Sequence, residues 1–67
     1  MTSFQTAWDA VQKVETRLRE NGLDNNVPYL FAQVEIAMRQ AKKDGPFQND
    51  LIVAAAAAVE KKFFPKK

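Results

Sequence analysis

The sequence predicts an all-α fold, a small three-helix bundle. Three observations carry this reading. Apolar residues recur at three- and four-residue spacing through three long segments, the period of one face of an α-helix. Helix breakers fall only at the junctions: Gly22 and Pro28 bracket one break, Gly45-Pro46 marks another, and Pro65 closes the third segment. No stretch alternates apolar and polar residues for long enough to suggest a strand. The helices are expected over roughly 3–21, 27–43 and 49–64, in a single domain of residues 1–67 with a short basic tail at 65–67. Short connections leave an antiparallel hairpin plus a third helix as the natural packing.

In the first segment, Ser3 or Thr2 is placed to cap the free N–H groups of the first turn. Phe4, Ala7, Trp8, Val11, Val14 and Leu18 fall on one arc, at about 100° per residue. Asp9 with Lys13 and Glu15 with Arg19 are acid-before-base pairs four apart, which modestly favour helix. Asn21-Gly22-Leu23 reads as a stop, with Gly22 left-handed and Leu23 folded back on Leu18.

The second segment has Asn25 or Asn26 as its cap. Pro28 falls in its first turn, where no N–H is required. Val27, Leu30, Phe31, Val34, Ala37, Met38 and Ala41 form the apolar arc, and Glu35 with Arg39 repeats the acid-before-base pair. Lys42 and Lys43 suit the negative end of the helix dipole. In the third segment, Asn49 and Asp50 are candidate caps, with Pro46 as first helical residue the alternative. Leu51, Ile52, Ala55, Ala56, Val59 and Phe63 form its main apolar side. The run Ala54 to Ala58 has high helix propensity and makes a thin helix that neighbours can approach closely.

Composition narrows the functional classes. The chain of 67 residues has no cysteine and no histidine. A disulfide scaffold, a Cys/His zinc site and Cys- or His-based catalysis are therefore excluded. Ser3 reads as a cap, and the carboxylates lie in helix pairs or beside turns. A non-enzymatic protein without a cofactor, metal or small-molecule substrate is the expectation. Asp24, Asn26 and Glu35 match three positions of a calcium loop, but Pro28 and Tyr29 stand where that loop needs a ligand and a glycine. No segment is apolar enough to span a membrane. With no signal-peptide pattern at Met1 to Phe4, the cytoplasm is the expected compartment.

A chain this short buries only roughly 60% of the surface its unfolded form exposes. Without disulfide or metal, it needs efficient helix packing or a partner. Some apolar residues do face away from the expected core. Tyr29 and Ile36 lie on the far side of the second segment, two turns apart. Val53, Ala57 and Phe64 form a second stripe on the third. Such residues are ordinary when isolated, and a central helix covered on two sides would absorb them. Otherwise they form a contact face. The leading expectation is a protein–protein interaction module, such as an adaptor, inhibitor or assembly factor. Tyr29, Ile36, Val53, Ala57 and Phe64 would meet a protein partner or a second copy of the chain.

The alternative is nucleic-acid binding. Residues 1–59 carry six basic and seven acidic groups, whereas residues 60–67 carry four lysines and one glutamate. Lys61, Lys62, Lys66 and Lys67, extended by Arg39, Lys42 and Lys43, would contact phosphates, with the interleaved phenylalanines stacking on bases. Lysines at a helix C-terminus also have a plain capping role. A membrane surface is disfavoured, and a helix-turn-helix would have a recognition helix of mostly alanine, with few groups to read bases.

Overall fold

The computed structural model describes residues 3–44 and 48–65, with side chains at 42–44 outside the description. Its elements are α1 (Phe4–Glu20), a 3₁₀ turn (Asp24–Asn26), α2 (Val27–Asp44) and α3 (Gln48–Phe63). The described residues form an all-α protein of three packed helices with no strand.

Each boundary has a local cause. Ser3 has extended backbone, and its Oγ accepts a hydrogen bond from the Thr6 N–H at 3.1 Å. This satisfies one donor left free by the first turn. At the other end of α1, Gly22 takes φ +71°. The Leu23 N–H then donates to the Leu18 carbonyl at 2.8 Å, and the Gly22 N–H to that of Arg19 at 3.2 Å. This pair of bonds is a Schellman motif. Leu23 turns back against the core beside Leu18.

The 3₁₀ turn feeds directly into α2, with the Asn26 N–H donating to the Leu23 carbonyl. Pro28 is the second residue of α2 and lacks only an N–H that would have no helical partner. Helix α3 begins at Gln48, so Asn49 and Asp50 lie within its first turn and are not its caps. The alternative start at Pro46 lies outside the described residues.

The core is entirely apolar. Ala7, Val11, Val14 and Leu18 of α1 meet Val27, Leu30 and Val34 of α2 and Ile52, Ala56 and Val59 of α3. No buried side-chain polar atom among the described residues lacks a partner. Helix α3 packs extensively on both other helices, whereas α1 and α2 touch much less. The small Ala56, fully buried in the middle of α3, lets both neighbours approach. Arg17 of α1 meets Glu60 of α3, and Tyr29 of α2 meets Phe63 of α3. These contacts place α1 and α3 side by side in the same direction, with α2 antiparallel to both.

Two expected core residues are less covered than their periodicity implies. Phe4 is 54% exposed, and Trp8 is only partly buried. They sit in the first turns of α1. Phe4 stacks on Trp8 with ring centroids 6.1 Å apart, and Trp8 in turn leans on Phe31.

Candidate docking surface

The five residues expected to form one contact face separate onto two sides of α3. Val53 and Phe64 are partly buried and packed against the core. The Arg17 guanidinium lies 4.3 Å from the centre of the Phe64 ring. Ala57 is exposed beside them, in a shallow recess with Arg17, Glu60 and Lys61. Val53 and Phe64 of this second stripe are thus partly covered, on the side of α3 that faces α1, and Ala57 is not. A helix with neighbours on two sides needs two apolar stripes, so Val53 and Phe64 serve the fold.

Tyr29 and Ile36 belong to the other side. Ile36 is 46% exposed and Tyr29 37%. Ile36 lines an open groove of about 250 Å³ between α2 and α3, and Tyr29 lies about two turns from it on the same side of α2. Gln33, Ile36 and Gln40 line it from α2, and Leu51, Ala54 and Ala55 from α3. None of these carries a charge. At the end of this side, Tyr29 stands edge-on to Phe63, and the Lys62 ammonium lies 5.0 Å from the centre of the Tyr29 ring. The Lys62 charge thus faces an aromatic ring.

The opposite groove has the reverse character. Asp9, Lys13, Arg17, Glu20 and Glu60 line an open depression of about 600 Å³ along α1. Arg17 pairs with Glu60 there at 3.0 Å. Of the three helix pairs expected from sequence, Glu15–Arg19 and Glu35–Arg39 form. Arg19 also approaches Asp24 at 3.7 Å. The groove between α2 and α3 thus has an uncharged lining, whereas the depression along α1 is lined by charged groups.

Among the described side chains, Arg39 does not join Lys61 and Lys62 in one patch. Lys61 and Lys62 lie at the end of α3, beside the end of α1 and the start of α2. Arg39 is ten residues beyond Tyr29, about 15 Å along α2, and its guanidinium is bound by Glu35. Lys42 and Lys43 follow Arg39 in the last turns of α2, toward the opposite end. The antiparallel course of α2 therefore sets Arg39 well away from Lys61 and Lys62, and the side chains of Lys42 and Lys43 lie outside the description. Lys66 and Lys67 lie outside the described residues.

Asp24 and Asn26 belong to the 3₁₀ turn, and Glu35 lies inside α2 paired with Arg39, so the calcium-loop spacing is coincidental. Among the described residues no group of three acidic side chains is placed to hold a metal, and no helix is long and apolar enough to cross a membrane. Sequence periodicity did not single out Phe4 as a surface aromatic. Its place in the first turn of α1 was the available signal, because helix ends project beyond their neighbours. No family model, curated protein or solved structure matches this chain.

Proposed function

We propose that the protein is a non-catalytic helical interaction module that binds another protein surface through the α2–α3 side. The observation that carries this reading is the half-exposed Ile36 on a groove without charged lining. Interface centres are depleted in charge and enriched in large apolar and aromatic groups. Tyr29 supplies such an aromatic group at one end. The remaining groove residues are small or neutral, so a partner helix can approach closely without stripping water from an ion.

The test is a differential capture. The full chain and its Ile36→Asp variant are immobilised in parallel and exposed to the same protein mixture. Proteins retained by the wild type and lost with the variant support the reading. Identical retention by both would remove Ile36 and its groove from any interaction. The nucleic-acid alternative draws less support, because Arg39 is neutralised by Glu35 and stands well away from Lys61 and Lys62.

A further inference from the structure

We infer that a second copy of this chain docks antiparallel on the α2–α3 side. The inference rests on the reading of that side as a contact surface and names its occupant. It begins with the row Asp50, Ala54, Ala58 and Lys62, all exposed on α3. Their four-residue spacing makes them one surface ridge of the helix. The ridge is acidic at its start, apolar and thin in its middle, and basic at its end. Of this row Ala54 lines the groove, together with Leu51 of α3 and Ile36 of α2.

A ridge of this kind is complementary to itself in one direction only. Turned by a two-fold axis between Ala54 and Ala58, Asp50 of each copy faces Lys62 of the other, and Ala54 faces Ala58. Both charge pairs are attractive. A parallel arrangement would set Asp50 on Asp50 and Lys62 on Lys62, which is unfavourable at both ends. The charge order along α3 thus selects the antiparallel pair. Two-fold contacts of this type are the commonest way for identical chains to associate.

The side groups agree with this arrangement. The groove carries no net charge to repel its own copy, and the amides of Gln33 and Gln40 both donate and accept hydrogen bonds. The alanines allow helix axes to approach toward the short end of the usual 8–10 Å range. Two helices side by side offer a footprint of about 600 Å² per copy, or about 1,200 Å² for the pair, at the lower edge of specific interfaces. A reversible dimer in the micromolar range is the expectation.

Sedimentation equilibrium of the full chain, from low to high micromolar concentration, tests it. The wild type should pass from monomer to dimer. Ile36→Asp and Ala58→Glu should each weaken association about tenfold or more, with helix content by circular dichroism unchanged. The decisive arm uses two single reversals, Asp50→Lys and Lys62→Asp. Each alone should be monomeric, because like charges then face each other. Mixed together they should form a heterodimer, since both cross-pairs become attractive again, and both reversals in one chain should restore the homodimer, which only the antiparallel register allows. The mixture contains the same folded chains as the separate samples, so a folding defect cannot imitate the recovery. A monomer at every concentration overturns the inference, as does a dimer indifferent to Ile36→Asp and Ala58→Glu, or a mixture that fails to associate. A strictly monomeric chain would leave the broader interaction reading to the differential capture, which does not depend on self-association.

Discussion

Tyr29 stands edge-on to Phe63, with ring planes at 87° and centroids 6.0 Å apart. The contact ties the first turn of α2 to the last turn of α3, far apart in sequence. It also anchors the Lys62 ammonium over the outer face of the Tyr29 ring. One residue therefore belongs to both the packing and the exposed side.

Tyr29→Ala should destabilise the isolated chain by about 1–2 kcal/mol, through loss of the ring pair and the cation contact. Tyr29→Phe should cost well under half of that, because it keeps both. Urea unfolding of the two variants measures the difference. Equal losses would assign the effect to the hydroxyl and not to the ring.

Gly22→Ala isolates a backbone effect. The left-handed φ of +71° disfavours a side chain, yet a Cβ there would meet nothing within 4 Å. The loss should be about 1–2 kcal/mol from conformation alone. Gly22→Asn should recover part of it, since asparagine tolerates this region better. A loss above about 3 kcal/mol in either variant would mean that the turn has a neighbour the structure does not show.

Leu30→Ala and Ile36→Asp should separate core from surface. Leu30 is fully buried, and its truncation should cost about 2–5 kcal/mol. Total stability for a domain this short is expected near 3–10 kcal/mol, so the Leu30→Ala loss should be a large fraction of it and lower the melting temperature strongly. Ile36→Asp, on the exposed side of the same helix, should shift the monomer by about 1 kcal/mol or less. Thermal melts at low concentration compare them, and similar losses would place Ile36 in the core.

Arg17→Ala should cost more than Glu60→Gln. The ion pair is solvent-exposed on both sides and is worth about 0–1 kcal/mol. Arg17 additionally covers Phe64, an interaction that survives the glutamate change. Added salt should shrink the Glu60→Gln effect and leave most of the Arg17→Ala effect in place. Denaturant titrations at low and high salt check this order.

Most of the three-helix architecture was legible in the residues. Ser3 capping, the left-handed Gly22 and the return of Leu23 toward Leu18 are local events, set by groups within a few residues of one another. The apolar arcs of α1 and α2 were readable for the same reason, since a helix fixes the angle between its own residues. The start of α3 at Gln48 agrees with the span expected from sequence, but the cap candidates Asn49 and Asp50 lie inside its first turn, because asparagine and aspartate are accepted there as well as at caps and the helix dipole also favours Asp50.

The candidate surface was only half legible. Periodicity identified Tyr29, Ile36, Val53, Ala57 and Phe64 as residues outside the main arcs, but it does not say which helix acquires a second neighbour. That depends on contacts such as Arg17 with Glu60 and with Phe64, which join residues more than forty positions apart.

The sequence by itself determined three helices, their stops and a bundle without a disulfide, because those properties follow from short-range geometry and composition. The tertiary structure decided that α3 is the central helix. It thereby buried Val53 and Phe64 in part, left Ile36 open on an uncharged groove, and held Arg39 away from the lysines ending α3. Which face of a helix meets solvent is a property of its neighbours, and neighbours are chosen by packing across the whole chain.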